Sequence, residues 1–297
     1  MAQDISEITA ELLAGWALPD VATGADKEDR GHAVVIAGSR QIPGAALLCA
    51  TAALRAGAGK VTLMTAASVA IALAIAVPEA RVIGLVENAA GGLAFAEVQL
   101  LRDCLEQATA VLIGPGLADA LSTCEVVERV LRETAGIPLV LDAIAMEIVR
   151  RDDSKAAFQA SERQILITPH VGEMAHLTGE EKSLILEQPL QAASRIARRA
   201  QVLTVLKGAK TYVVTPHGKA WRHSADTPGL AVSGSGDVLA GVLAGLLARG
   251  VPPEQAAVWA VALHSSAGKS LAQKIALVGY LPRELLEEIP LLMGARP

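Results

Sequence analysis

Short, unbroken apolar runs recur along this chain, each followed by a turn and then a helical period. They are Ala33-Val34-Val35-Ile36-Ala37, Val61-Thr62-Leu63-Met64-Thr65, Ala110–Ile113, Pro138-Leu139-Val140-Leu141, Ile165-Leu166-Ile167-Thr168 and Val202–Leu206. A strand with one wet face alternates polar and apolar residues, whereas a strand covered on both faces reads as a continuous apolar run. Helices are expected between the runs. One opens at Pro43-Gly44, with proline in its first turn, and is stopped after Ala56 by Gly57 and Gly59. Others are expected near Phe95–Gln107, Leu121–Thr134 and Leu190–Arg199. Strands alternating with helices make βαβ units, hence a mainly parallel sheet with helices on both faces and right-handed crossovers. Aromatic residues are only 2% of the chain. The layers must therefore be packed with Ala, Val, Leu and Ile.

Val82–Val86 reads as a further strand, and Thr211–Thr215 with Lys219–Arg222 reads as a hairpin turned at His217-Gly218. Two long helices follow, at about Asp237–Ala248 and Pro253–Leu271, and a last one from about Pro282 to Ile289. The expected organisation is an N-terminal helix and connection over residues 1–30, then one catalytic domain over 31–297. No repeat or interdomain linker interrupts it. Val61 to Pro78 carries no charge, a length at which a membrane span needs consideration. A strand over Val61–Thr65, a helix capped by Ser68, and a stop at Pro78-Glu79 argue against a span. A net charge of −5 without a basic cluster, together with so few aromatics, excludes a nucleic-acid platform and an anionic membrane as partners. Cys49, Cys104 and Cys124 lack metal-ligand spacing and read as buried small hydrophobes in a reducing compartment. The N-terminus has Asp4, Glu7 and Glu11 instead of a basic region before an apolar one, so a cytoplasmic protein is expected.

In open parallel sheets, ligands bind beyond the carboxyl ends of the strands. The polar and glycine-rich turns of this chain gather there: Gly38-Ser39, Gly114-Pro115-Gly116, Asp142, Thr168-Pro169-His170-Val171-Gly172-Glu173 and Lys207-Gly208. The richest is Gly234-Ser235-Gly236-Asp237, ahead of a long apolar helix. Glycines let a backbone approach a ligand closely, and the first N–H groups of a helix are unpaired and favour negative charge. An anion hole at Gly234, Ser235 and Gly236 follows. An acid at that place repels an anion, so Asp237 is read as a proton acceptor for a substrate hydroxyl. Ordinary helix capping by Ser235 or Asp237 is the bland alternative. Lys207 could meet phosphate oxygens or be a surface turn residue. His170 could donate to a substrate carbonyl or phosphate or serve only structure. Glu173 could reach a metal through water, or simply open a helix that also carries His176 as a packing residue. Gly59-Lys60-Val61 is no P-loop, because Leu54 stands where its first glycine belongs and Val61 where Ser or Thr must bind magnesium.

Taken in order, Ala37-Gly38-Ser39 with Pro43-Gly44-Ala45-Ala46, Gly114-Pro115-Gly116, Leu141-Asp142-Ala143, the TPHVGE string from Thr168, Lys207-Gly208-Ala209-Lys210-Thr211 and Gly234-Ser235-Gly236-Asp237 resemble the ADP- or ATP-dependent NAD(P)H-hydrate dehydratase family. The resemblance runs from about Lys27 to the C-terminus. It implies a ribokinase-like three-layer α/β sandwich with a mostly parallel central sheet. It also implies a reaction, in which the ring hydroxyl of hydrated NADH or NADPH is phosphorylated from ADP or ATP with Mg²⁺, and phosphate is then eliminated. On that resemblance Ala45, Gly116, His170 and Asp237 contact the hydrated dinucleotide. Lys207, Gly208, Ala209, Lys210, Thr211 and Gly236 contact the nucleotide donor. Asp237 is the catalytic base. ADP is the donor favoured for a free-standing member, and a homo-oligomer, a tetramer by preference, is implied. Val171 replaces the usual proline of TPHPGE, Ser233 precedes the phosphate turn, and only Lys27 and Gly31 remain of an HKGxxG string. Thirty residues ahead of the fold cannot form an epimerase domain, so a separate epimerase is expected to act on the same substrate. The competing readings are a small-molecule kinase of the hydroxyethylthiazole type and a nucleotide-binding regulator without catalysis. The intact Asp237 argues against the second.

Overall fold

The computed structural model of the chain describes residues 5–20, 26–94, 98–133, 135–151, 153–224 and 227–294. Its strands are β1 (Ile5–Glu7), β2 (His32–Ile36), β3 (Lys60–Ala66), β4 (Arg81–Glu87), β5 (Leu93–Ala94), β6 (Ala110–Ile113), β7 (Leu139–Leu141), β8 (Ile165–Ile167), β9 (Leu203–Leu206), β10 (Lys210–Val214) and β11 (Ala220–Ser224). Among the described residues they form one sheet in the order β1-β11-β10-β9-β8-β7-β6-β2-β3-β4-β5. From β9 through β4 every neighbouring pair is parallel, while β10 runs antiparallel between β9 and β11. The apolar runs of the sequence are these central strands, buried on both faces.

The helices are α1 (Ala10–Gly15), α2 (Pro43–Arg55), α3 (Ala67–Ala76), α4 (Val98–Leu105), α5 (Ala120–Glu133), α6 (Ser154–Ala160), α7 (Val171–Thr178), α8 (Lys182–Glu187), α9 (Pro189–Ala200), α10 (Ser235–Ala248), α11 (Pro253–Lys274) and α12 (Pro282–Gly294). They divide into two layers. Ala33 and Val35 of β2 face a core built with α2, α10, α11 and α12, while Val34 and Ile36 face a second core built with α4, α5, α6, α7 and α9. This is the expected three-layer α/β sandwich. Helices α2 and α10 approach unusually closely. A Cβ added at Gly241 would lie 2.4 Å from the Cys49 carbonyl oxygen, and one at Gly245 2.4 Å from that of Ala53. A larger residue at either place would push α10 off the sheet and displace its N-terminus.

The N-terminal segment is tied down at the far edge. The expected helix is present as α1, but β1 precedes it and pairs in parallel with β11, a strand too short to announce itself by pattern. All three tryptophans of the chain meet there. The Trp16 and Trp221 rings stack at 5.7 Å, and Trp259 Nε1 donates to the Trp16 carbonyl at 2.7 Å. Residues 21–25, part of the expected connection, and residues 95–97, at the start of the expected helix near Phe95, lie outside the described residues. Ser68 does not cap α3 as expected. That helix starts directly off β3, and the Glu87 carboxylate of β4 accepts the Ser68 N–H at 3.2 Å instead. No helix among the described residues is long and apolar enough to cross a membrane. All three cysteines are free and buried.

Chain direction reverses its lateral progress at β2 and β6. From β2 the crossovers lead to β3 and β4 on one side, and from β6 to β7, β8 and β9 on the other. The carboxyl-end loops of β2 and β6 therefore diverge and leave a crevice, the place where such sheets take their ligands.

Candidate active site

The crevice floor is made by two turns. Gly38 N–H donates to the Pro115 carbonyl at 2.8 Å, locking the loop after β2 to the loop after β6. Gly114 stands at φ +130°, and a Cβ there would lie 1.8 Å from the Asp142 carbonyl oxygen. No other residue fits. Gly116, at φ +66°, has room for its own backbone only against Ala45, whose Cβ would lie 2.6 Å from an added Cβ. The structure thus brings Ala45 and Gly116 together at the crevice floor.

Successive strand ends supply the charged groups. Asp142 follows β7, Thr168 follows β8 and Lys207 follows β9. Lys207 Nζ donates to Asp142 Oδ1 at 3.0 Å, and Thr168 Oγ1 donates to the same oxygen. Both Asp142 and Thr168 are buried. Lys207 N–H donates to the Pro169 carbonyl at 2.8 Å, which holds the turn after β8 beside the turn after β9. Lys207 Nζ also lies 3.9 Å from Glu173 Oε2, and 3.1 Å from where a Cβ on Gly236 would be. The ammonium therefore sits under the first turn of α10.

Helix α10 begins at a left-handed glycine. Gly234 is its N-cap at φ +93°, with no side-chain cap. Contrary to the expected anion hole, the Ser235 N–H is engaged, donating to the Val232 carbonyl at 3.2 Å, so the later amides of the turn are the ones that can face a ligand. Asp237 lies in that first turn. Burial, reinforced by the neighbouring Asp142 and Glu173 carboxylates and opposed by Lys207, lifts its pKa from 3.8 to about 6. A carboxylate so tuned is a stronger base than an exposed one, yet is still ionised at neutral pH.

Helix α7 is opened by a capping box. His170 Nδ1 accepts from the Gly172 and Glu173 N–H groups at 2.9 and 3.3 Å, and Glu173 Oε2 accepts the His170 N–H at 2.8 Å. Capping occupies Nδ1 of His170, as in the structural reading of this residue, and leaves Nε2 outside the cap. The ring is more than half exposed and faces a cavity of about 320 Å³ shared with Ala143, Met146, Glu173 and Lys182. His176 also lines it, held by Glu147 Oε1 at 2.6 Å and by Arg150 Nη1 at 3.0 Å. Gly208, Ala209 and Lys210 lie exposed on the turn into β10, where Thr211 Oγ1 donates to the Gly208 carbonyl at 3.2 Å.

Three contributors were not read as site residues from the sequence. Asp142 and Thr168 are marked only by being polar residues directly after buried strands. His264, on α11, lies in an apolar helical stretch that carries no motif. It places Nε2 2.9 Å from Ser235 Oγ and 3.0 Å from the Ser235 carbonyl.

Among the described residues no three His, Cys, Asp or Glu side chains converge to hold a metal alone. The cluster does fit a divalent ion shared with phosphate. Asp142, Glu173 and Asp237 outnumber Lys207 and leave a negative balance, and Mg²⁺ takes one or two carboxylates together with the phosphates of its nucleotide.

The model of a family described as NAD(P)H-hydrate dehydratase matches residues 33–291. An ADP-dependent (S)-NAD(P)H-hydrate dehydratase of Xanthomonas campestris is 41% identical over 99% of this chain and 98% of its own length. A bifunctional NAD(P)H-hydrate repair enzyme of Moorella thermoacetica is 34% identical over 94% of this chain, which spans about half (53%) of that relative. Among solved structures, an ADP/ATP-dependent NAD(P)H-hydrate dehydratase from Bacillus subtilis, co-crystallized with ATP/Mg²⁺, superposes with a TM-score of 0.85 at 29% identity, covering 98% of both chains.

Proposed function

The chain belongs to the NAD(P)H-hydrate dehydratase family, and from that premise we propose that it restores hydrated NADH or NADPH to the reduced dinucleotide at the expense of a nucleotide phosphoryl group. The observation that carries this reading is the raised Asp237 carboxylate in the first turn of α10, whose glycine N-cap provides no side-chain cap. Asp237 accepts the proton of the ring hydroxyl. That oxygen attacks the terminal phosphorus of the donor, ADP by preference, and the bond to the leaving nucleotide breaks. The amides of Gly234 and Gly236 stabilise the charge on the phosphoryl oxygens during transfer, and Lys207 beneath them supports the same charge. Expulsion of phosphate with loss of a neighbouring ring proton then restores the ring. Ala45, Gly116 and the free edge of His170 position the hydrated dinucleotide on the crevice side. Gly208, Ala209, Lys210 and Thr211 hold the donor on the β10 side. Glu173 is the residue that would reach Mg²⁺ through water, and the ion would neutralise phosphate charge.

The kinase alternative shares the base and the amide cradle but ends at a stable phosphate ester. The TPHVGE and KGAKT strings and the dehydratase relatives favour elimination. Incubation with hydrated NADH and ADP should return the reduced-nicotinamide absorbance and release inorganic phosphate, and Asp237→Asn should abolish both while nucleotide still binds. A phosphorylated thiazole alcohol with no recovered absorbance would decide for the kinase. Normal turnover by Asp237→Asn would remove the base assignment. The (S) label of the Xanthomonas relative supports a separate epimerase for the other epimer. Ile71 and Ile75, 79% and 77% exposed on α3, support the expected tetramer, which light scattering on the eluted protein tests. Three buried free thiols agree with a cytoplasmic setting.

A further inference from the structure

The first turn of α10 has a mechanical weakness. It is flanked by Gly234 and Gly236, the residue type with the greatest backbone freedom, and Gly234 uses that freedom at φ +93°. No side chain of the turn caps it. Catalysis by fixed amide dipoles requires that they be aimed before the charge develops. The backbone bond from Ser235 N–H to the Val232 carbonyl, at 3.2 Å, is the local tether, and a group outside the turn adds to it.

His264 is placed to do this. It projects from the middle of α11 onto Ser235, the first residue of α10, and its Nε2 lies within hydrogen-bonding distance of both the hydroxyl and the carbonyl of that residue. A carbonyl oxygen only accepts, so a bond to it requires a hydrogen on Nε2. Burial and the nearby Lys207 charge press the ring's pKa down to about 4, so it is neutral in the working range. A neutral ring carries a single N–H, and here that hydrogen belongs on Nε2. The Ser235 hydroxyl then accepts from the same N–H and keeps its own hydrogen for another acceptor.

We infer that His264 is a positioning residue for phosphoryl transfer: as the neutral Nε2–H tautomer it clamps Ser235 across the α10–α11 interface and presets the amide cradle. The inference rests on the reading of Gly234 to Asp237 as that cradle. A neutral clamp suits the place, because it fixes the turn without setting a second cation beside Lys207.

The test combines kinetics with nitrogen NMR of the whole chain labelled at histidine. In the wild type, the His264 ring should show the Nε2–H tautomer at neutral pH. His264→Ala, folded by circular dichroism, should lose about 10- to 100-fold in kcat per folded site while the donor KM changes less than about threefold, the pattern expected when a support of the transition state is lost. His264→Gln, whose amide can donate in place of the ring, should return to within about fivefold of wild type. A structural role alone would lower the melting temperature and leave kcat per folded site unchanged. That result, or an Nδ1–H tautomer in the wild type, overturns the inference. An inactive Asp237→Asn beside a fully active His264→Ala removes this inference only, whereas an active Asp237→Asn removes the cradle reading beneath it.

Discussion

Replacing Asp237 by Asn should stabilise the protein at pH 8 while abolishing its activity. Folding buries this carboxylate near two others and raises its pKa from 3.8 to about 6. Between those values the folded chain holds a proton that the unfolded chain has released. Stability contributed by this proton is complete below pH 3.8, falls as pH rises through the window, and is gone above pH 6. The displacement corresponds to a ceiling of about 3 kcal/mol that the ionised side chain costs the fold. Partial exposure reduces this, and the charge earns back roughly 0.3–1 kcal/mol by lying at the positive end of α10. A net gain of about 1–2 kcal/mol on neutralisation remains. For a chain of this size that is about 2–4 °C in melting temperature at pH 8. Asparagine keeps shape and volume, so the gain isolates the charge. The assay is a thermal melt of wild type and Asp237→Asn at pH 8 and again at pH 4.5. The difference should be full at pH 8 and shrink to about a third of that at pH 4.5, where the unfolded carboxyl is already mostly ionised. Equal melting temperatures at pH 8, or the same gain at both pH values, would refute the claim that a strained carboxylate is stored in the first turn of α10.

The same group should govern the rate. As the proposed base must be ionised, kcat/KM should rise tenfold per pH unit below about pH 6 and level off above it, read from initial rates across pH 4.5–8. Lys207→Met removes the one positive charge that opposes the raised pKa of Asp237, so the acid limb should move to higher pH, with a stability loss of about 3–5 kcal/mol because Asp142 is left buried without its ion pair. Gly114→Ala sets a methyl group into the Asp142 carbonyl at a φ reserved for glycine and should cost at least about 2 kcal/mol in urea unfolding, with a larger fractional loss of activity than of stability because Asp142 moves with it.

The frame of this fold is legible because the central strands are short, apolar and buried on both faces, and because turns interrupt them at regular intervals. The expected strand Ala110–Ile113 coincides with β6, and the expected helix from Pro43 ends one residue short of its expected end at Ala56. What escapes is held by distant contacts. Strand β1 has three residues and exists by pairing with β11 more than two hundred positions away. The cap of α3 is a carboxylate from another strand, which no local pattern of Ser68 reveals. In the site, residues that mark themselves by glycine context were read as ligands of phosphate. Asp142, Thr168 and His264 were not, since each acts through a partner 26 to 65 positions distant, and spacing carries no record of such pairs.

Under the proposed mechanism, Asp142 explains why a lysine so near the base does not spoil it. A carboxylate paired directly with an ammonium has its pKa lowered and becomes a poor proton acceptor. Here Lys207 Nζ bonds Asp142 at 3.0 Å, and Thr168 fixes that oxygen from the other side. The ammonium is thereby drawn away from Asp237 yet stays beneath the phosphoryl cradle, and the Asp142 charge itself raises the Asp237 pKa. The parallel register of β7, β8 and β9 sets these three side chains on neighbouring strand ends, so the arrangement comes from topology and not from a local motif. Asp142→Asn keeps the shape and an acceptor oxygen but removes the charge. Lys207 is then freed to turn toward Asp237, and one source of repulsion is lost. Both effects lower the pKa of the base. The acid limb of kcat/KM should therefore move below pH 6, opposite to the shift in Lys207→Met, and the plateau rate should fall as the base weakens. An unmoved limb, or one displaced upward, would show that Asp142 serves only to hold Lys207 in the fold.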